Sequence, residues 1–371
     1  DQLAGALNGL GHETSILDLT SPDAAAQASA SFASPPDAYF GINGVGGEIQ
    51  AGAGSVYDAL GVTYASLYVD HPVHHTHRLS VPMRKKVAFF LDRSHVQFMT
   101  AWSVGRGFAQ LAFLPPGANQ IAPPPETTDG AFLARDIPVL FTGTYRGEPE
   151  APWRAEPESL GREAVEEIAQ RMTADGKLAV LDALKAVLAR LGGELTPELF
   201  AQFLPLLKAP QAFAEAHHRN ALMKTLGEAG TPVRIYGNGW EPLLQRYASF
   251  TYGGVGSFEE TLHLLRRTRL VLNSNNGFVA GGHERVFTAM AGGAAVLTDE
   301  NRYYAEAYKP GREIATYAWD KLDRVPAQIE NLLADHAALA ALARAGAKRT
   351  LADHTWTARA AKLVKTVKQA G

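Results

Sequence analysis

Residues 281–298 read GGHERVFTAMAGGAAVLT. Two glycines open the stretch and a short apolar run closes it. Between them, His283 to Met290 holds no Gly or Pro, and Val286, Phe287 and Met290 fall at i, i+1 and i+4, one apolar face of a helix. Gly292 and Gly293 suit the helix C-terminus, where a left-handed residue is needed. AAVLT then reads as a short buried strand. Gly281 and Gly282 let a backbone or a ligand come close at the helix start. A helix N-terminus attracts anions, phosphate above all. Glu284 complements the helix dipole there, whereas Arg285 opposes it unless an anion is bound. Two readings stay open at this point: an anion site, or a surface turn in which Arg285 pairs with a carboxylate.

Outward from this unit, strands and helices alternate. TSILDL (14–19), DAYFGIN (37–43), VTYASLYVDHP (62–72), KKVAFFLDRSHV (85–96) and QLAFLPPGAN (110–119) read as strands, with a helix at SVYDALG (55–61) and another at QFMTAWSVGRGF (97–108). DIPVLFTGTYRG (136–147) starts a second series. It continues, after about four helices in Glu156–Gly230, through TPVRIYGNGW (231–240), a helix at FEETLHLLRRTR (258–269), a strand at LVLNSN (270–275) and a possible strand at GREIATYAW (311–319). From Val325 the chain is helical. Short apolar strands between helices favour parallel sheets. The expected fold is α/β, with two Rossmann-like domains, 1–135 and 136–355, a helical insertion at about 156–230 in the second, and a C-terminal helix at 356–371. The opening residues read as a helix and then a strand, the second half of a βαβ unit whose first strand and glycine turn are expected to be missing.

Composition narrows the field. The chain has 371 residues, 46% hydrophobic and 20% charged, with a net charge of −3. That describes an ordinary globular protein and argues against nucleic acid as the main partner. There are no cysteines, which removes disulfide and thiolate chemistry. No apolar run approaches the ~20 residues of a membrane span. Ligands of such sheets bind at the C-terminal ends of strands. Those ends are Asn43–Gly47, Asp70–His71, Asp92–His95, Gly143–Arg146, Gly237–Trp240, Asn273–Gly277 and Thr298.

The elements FTGTYRG, VRIYGNGW, YGGVGSFEETLHLLRRTRLVLNSN, GGHERVFTAMAGGAAVLTDENRYYAEAYKPGREIATY and HTWTARAAKLV, in this order, resemble the donor-binding domain of GT-B glycosyltransferases, in the group 1, spore-maturation CgeB-like branch. They span about Asp136–Gly147 and Thr231–Val364. The resemblance implies a bacterial, cytoplasmic, metal-independent hexosyltransferase that takes a nucleotide-diphosphate sugar as donor and an unidentified acceptor, with no cofactor. Arg285 maps to the family's diphosphate-binding arginine, with Gly281, Gly282 and His283 around it. Many relatives place an acid on the ribose where this chain has Thr288, and Glu284 is the available substitute. Gly143 and Arg146 fall where a basic phosphate contact is common. Tyr236, Gly237, Trp240 and Tyr252, with Gly254, are candidates for the base pocket. Trp240 also reads as core, and Asn273 and Asn275 as turn formers first.

Acid–base chemistry is expected from the first domain. Asp70 is the first candidate for the general base and His71 the second, followed by Asp92 and His95. HPVHHTH (71–77) superficially suggests a metal site, but the spacing of His74, His75 and His77 fits no zinc pattern and a solvated loop is the expectation. The helices of Glu156–Gly230 exceed what a βα connection needs. They are expected to dock the acceptor, to meet another subunit or to form a self-contained cap, and not to join the donor site. Alternatives are a nucleotide-sugar epimerase or hydrolase, and a non-catalytic sugar-nucleotide-binding protein. A dinucleotide oxidoreductase is disfavoured, because GVGG (44–47) opens no long helix.

Overall fold

Every residue of LysValAlaPhePhe at 86–90 is buried, as is every residue of 63–68 and of 295–299. Strands covered on both faces are what a parallel sheet between helical layers requires. The computed structural model describes residues 2–102, 107–120, 125–126, 128–275 and 277–370. The chain divides into two compact units: Asp1–Pro116 with Leu195–Pro205 and Trp356–Gly371, and Gly117–Glu194 with Leu206–Thr355.

The first unit holds strands β1 (Ala38–Ile42), β4 (Thr63–Tyr68), β5 (Lys86–Phe90) and β6 (Gln110–Phe113), all parallel and adjacent in that order, with a small hairpin of β2 (Gln50–Ala51) and β3 (Gly54–Ser55). The helix Trp356–Ala370 packs on the helix Gln2–Gly9 and on β4, β5 and β6. Phe200 of the helix Pro197–Phe203 meets Phe98 of the helix Arg93–Trp102 edge-on, 5.1 Å between centroids.

The second unit holds β7 (Ile137–Thr142), β8 (Val233–Tyr236), β9 (Phe250–Tyr252), β10 (Thr268–Leu272), β11 (Ala295–Asp299) and β12 (Ala315–Tyr317). Their order in the sheet is β12-β11-β10-β7-β8-β9, all parallel. This is the doubly wound Rossmann order, and it reverses between β7 and β10. Val139, Phe141, Leu270, Leu272 and Leu297 share one core with Trp240.

Several expectations need correction. Residues 14–19 form no strand; Ile16 is 62% exposed and the segment has no ladder partner among the described residues. The strand expected over 85–96 stops at Phe90, because the Asp92 carboxylate accepts from the Ser94 N–H (2.6 Å) and a helix starts at Arg93. The helix expected at 97–108 runs Arg93–Trp102, and 103–106 lie outside the described residues. A helix at Ala24–Ala33 was not expected. The units part at 116/117 rather than at 135. Phe132 belongs to the second unit's core, and Arg135 donates to the carbonyls of Thr268 and Gly292. The C-terminal helix belongs to the first unit instead of standing alone.

The segment 156–230 does contain four helices: Leu160–Ala174, Val180–Arg190, Pro197–Phe203 and Lys208–Glu228. The last is not inserted. Its Leu222, Met223 and Leu226 enter the sheet core and it leads straight into β8, so it is the ordinary crossover helix of a parallel pair. Of the inserted helices, Val180–Arg190 lays its buried Leu181, Leu184 and Leu188 toward Leu160–Ala174, on which it packs.

Candidate functional site

The loops after β7 and β8 interlock without room for side chains. Gly143 donates to the Tyr236 carbonyl (2.9 Å), Gly237 to that of Gly254 (3.0 Å), and the Trp240 indole to that of Gly143 (2.7 Å). Gly237 has φ 130°, and a Cβ there would lie 2.2 Å from the Gly143 oxygen. Tyr252 donates its hydroxyl to the Gly237 carbonyl (3.1 Å). Tyr236 lies against Gly253, where a Cβ would come within 2.1 Å of the ring. Trp240 is fully buried, so of its two sequence readings it takes the core one and positions Gly143.

Arg285 reaches the same place from the other side of the switch point. Its helix, Glu284–Ala291, buries Val286, Phe287 and Met290. Arg285 donates through Nη1 to Asn273 Oδ1 (2.6 Å) at the end of β10, and its guanidinium lies 5.8 Å from the Phe141 ring centroid. A Cβ at Gly143 would sit 3.2 Å from Arg285 Nη2. Asn273 is itself fixed by donating to the Thr298 hydroxyl (2.9 Å). Among the described residues no carboxylate lies within salt-bridge distance of Arg285. Desolvation lowers the Arg285 pKa, with Glu284 acting against that shift. Arg285 is only half-buried and lines an open cavity, so a guanidinium without a carboxylate beside it is accessible there to an anion from solvent.

The glycines and the helix end contribute differently from expectation. Gly282 is needed for packing, since a Cβ would come 2.8 Å from the Phe287 ring. The Gly281 carbonyl accepts from Asn275 (3.3 Å) and Asn301 (2.9 Å). Asn275 Oδ1 accepts from the His283 N–H (3.0 Å), so Asn275 shapes this loop; the neighbouring Asn276 lies outside the described residues. His283 caps the helix by accepting from the Arg285 N–H at Nδ1 (3.1 Å). The helix end is thus partly satisfied from within.

A cavity of about 280 Å³ is lined by Gly143, Gly237, Glu284 and Arg285 together with Val255 and Phe258. Val255 and Phe258 are 61% and 59% exposed, unusual for apolar side chains of this size. Thr288 borders it and donates to Glu284 Oε1 (2.7 Å), which also accepts from Asn119 Nδ2 (2.8 Å). The lining therefore combines a guanidinium, a fixed carboxylate and exposed apolar side chains.

The arginine that sequence reasoning missed is Arg219, on the crossover helix Lys208–Glu228. It donates to the Thr144 carbonyl (2.6 Å) and, more weakly, to the Ser274 hydroxyl (3.5 Å). The signal available was a run of polar residues, His218, Arg219 and Asn220, in a helix leading into a core strand. Arg146, expected as a phosphate contact, faces Glu215 (3.4 Å).

In the first unit, Asp70 follows β4. Its Oδ2 accepts from Asn43 Nδ2 (3.1 Å) and lies 3.4 Å from His75 Nε2. The hydrogen bond to His75 holds the Asp70 pKa below the usual range, with burial acting against it. Asp70 thereby remains a carboxylate that can orient an imidazole. His71 is buried, accepts from the Val73 N–H (3.2 Å) and sits edge-on to His95 at 4.5 Å. Desolvation holds its pKa well below the ordinary value, so it is a neutral core ring. Asp92 and His95 are buried too. His74, His75 and His77 gather no metal set: among the described residues no three His, Asp or Glu side chains converge as for a cation. No described helix is long and apolar enough to cross a membrane.

Residues 218–365 match the model of a family described as glycosyl transferase-like. No curated protein sequence matches the chain. Among solved structures, sucrose-phosphate synthase from Thermosynechococcus elongatus is similar with a TM-score of 0.53 at 12% identity, over 93% of this chain and 76% of that one. HepE of Anabaena, in complex with UDP-glucose, gives 0.53 at 10%, over 95% and 84%. AviGT4, a glycosyltransferase involved in avilamycin A biosynthesis, gives 0.51 at 14%, over 100% and 87%. At these identities the likeness is one of fold: the chain has the α/β architecture of GT-B glycosyltransferases, with two Rossmann-like domains.

Proposed function

We propose that this chain is a glycosyltransferase, of hexosyl type and of the CgeB-like branch, that moves a sugar from a nucleoside-diphosphate sugar to an acceptor in the bacterial cytoplasm. The observation that carries the reading is Arg285, a guanidinium held by Asn273 at the switch point of a Rossmann sheet with no carboxylate partner among the described residues. Charge builds on the departing nucleoside diphosphate as the glycosidic bond breaks. A fixed guanidinium there stabilises the transition state more than the ground state. The exposed apolar side chains of Val255 and Phe258 suit a base, and Glu284 suits ribose hydroxyls. Asp70, with His75 hydrogen-bonded to it, is the proposed acceptor-side base.

The test is a thermal-shift panel of UDP-, GDP- and dTDP-sugars against a CMP-sugar, followed by turnover of labelled donor. A nucleoside-diphosphate sugar is expected to raise Tm, and Arg285→Ala to remove turnover in a folded protein, a loss of about 2–4 kcal/mol of transition-state stabilisation. Near-wild-type turnover in that variant would sink the assignment. The reaction is proposed to run without metal, the arginine taking the charge; a steady rate in EDTA is expected. A rate lost to EDTA and restored by one divalent cation would contradict it.

A further inference from the structure

Three arginines surround the loop that follows β7, and they are not equivalent. Arg146 faces Glu215 at 3.4 Å, and half of its side-chain surface is open to solvent. Arg285 lies beside Gly143, where an added Cβ would come 3.2 Å from its Nη2. Arg219 donates to the carbonyl of Thr144, the next residue along, and to Ser274, the residue after the Asn273 that holds Arg285. Two guanidiniums thus lie at adjacent residues of one loop and at adjacent residues of another. Neither has a carboxylate within salt-bridge distance among the described residues.

Nearby carboxylates are already engaged. Glu215 is shared by Arg146 and Gln211, and Glu284 by Thr288 and Asn119. Burial first, and then repulsion from Arg285 and Arg146, lower the Arg219 pKa to about 10. Both side chains are half-buried, and like charges brought together there are unfavourable, so the pair suits a group carrying more than one negative charge.

We infer that Arg219 is the second phosphate-binding cation of this site, so that Arg219 and Arg285 hold the two phosphates of the donor between them while Arg146 stays committed to Glu215. This rests on the donor reading above and adds a residue from the crossover helix, a segment expected to stand outside the donor site. The two arginines arrive from different helices and meet only because β7 and β10 are neighbours at the switch point. Arg219 also braces the Thr144 carbonyl, so its two roles must be separated.

The experiment is titration calorimetry of the full chain with UDP, GDP and dTDP and the matching monophosphates. Variants are Arg219→Gln, whose amide can still donate to Thr144, and Arg146→Gln, each checked for an unchanged melting temperature. Arg219→Gln is expected to weaken the bound diphosphate by about ten-fold or more, the loss of a charge-assisted contact, with the monophosphate changed much less. Arg146→Gln is expected to leave both near wild type. Equal loss of mono- and diphosphate in Arg219→Gln would assign it the bracing role alone and overturn the inference. So would unchanged diphosphate affinity, or a diphosphate loss found in Arg146→Gln instead. If Arg219→Gln fails to fold, Arg219→Met, which removes the charge and keeps an unbranched stem, takes its place under the same comparison. A wild-type chain that binds no diphosphate at all would instead remove the donor reading beneath it.

Discussion

Asp299 closes β11 and is buried, accepting from the Asn275 N–H (2.6 Å) and the Thr298 hydroxyl (3.3 Å). Desolvation outweighs these bonds and pushes its pKa up to about 7. The folded state therefore keeps a proton that the unfolded chain loses near the usual carboxylate value. The contribution is fully present below that value, falls as pH rises toward 7, and is gone above it. Over this window wild type should lose about 1.4 kcal/mol per pH unit relative to Asp299→Asn, read by denaturant unfolding at about pH 5 and about pH 7. Parallel pH dependence in the two proteins would show that Asp299 is charged in the fold. Single residues were legible in the sequence to the extent that they broke a rule. Arg285 stood out as a cation in the first turn of a helix. Arg219 broke none, because a basic residue in mid-helix is unremarkable until the sheet order brings it beside β7. Gly282 was legible as a glycine but not for its reason, since the Phe287 ring that covers it comes from the following turn.

Most strands could be placed from the chain because parallel strands are apolar on both faces and end in Gly, Asn or Asp. That pattern misled at 14–19, where an apolar segment has no neighbour to pair with among the described residues. It also left the crossover helix joined to the insertion, because period alone cannot say which helix covers a sheet. What it could not supply is how tightly two elements meet. At Gly237 the β7 and β8 loops meet with a positive φ and a close backbone oxygen together. Gly237→Ala therefore adds backbone strain, of order 1–3 kcal/mol, to a contact that can be relieved only by moving Gly143. The expected outcome is a lower melting temperature together with weaker donor binding, because Gly143 lies beside Arg285. An alanine variant with wild-type stability and affinity would mean that the two loops are not locked together.

Every residue proposed to meet the donor lies between Gly117 and Thr355. So does the core that carries β7 to β12, from Phe132 to Ala343. The helix Trp356–Ala370, by contrast, packs on the first unit's strands. The domain boundary inferred from the chain missed this, because residues 117–135 carry little apolar pattern of their own. Among the described residues, Phe132 joins the second unit's core, Asn119 donates to Glu284 and Arg135 donates to two carbonyls. A fragment spanning 117–355 should then fold and hold the nucleotide without transferring a sugar. Phe200, which packs on Phe98 in the first unit, would be left uncovered, so the fragment is best made with Phe200→Ser. Circular dichroism and a cooperative melt report folding, calorimetry with UDP, GDP and dTDP reports binding, and labelled donor reports transfer. Binding near that of the full chain with no transfer is the expected outcome, since the base proposed for the acceptor, Asp70 with His75, is absent. A cooperatively folded fragment with no affinity, where the full chain binds, would mean that the first unit contributes to holding the nucleotide. Transfer by the fragment alone would remove Asp70 and His75 from the reaction.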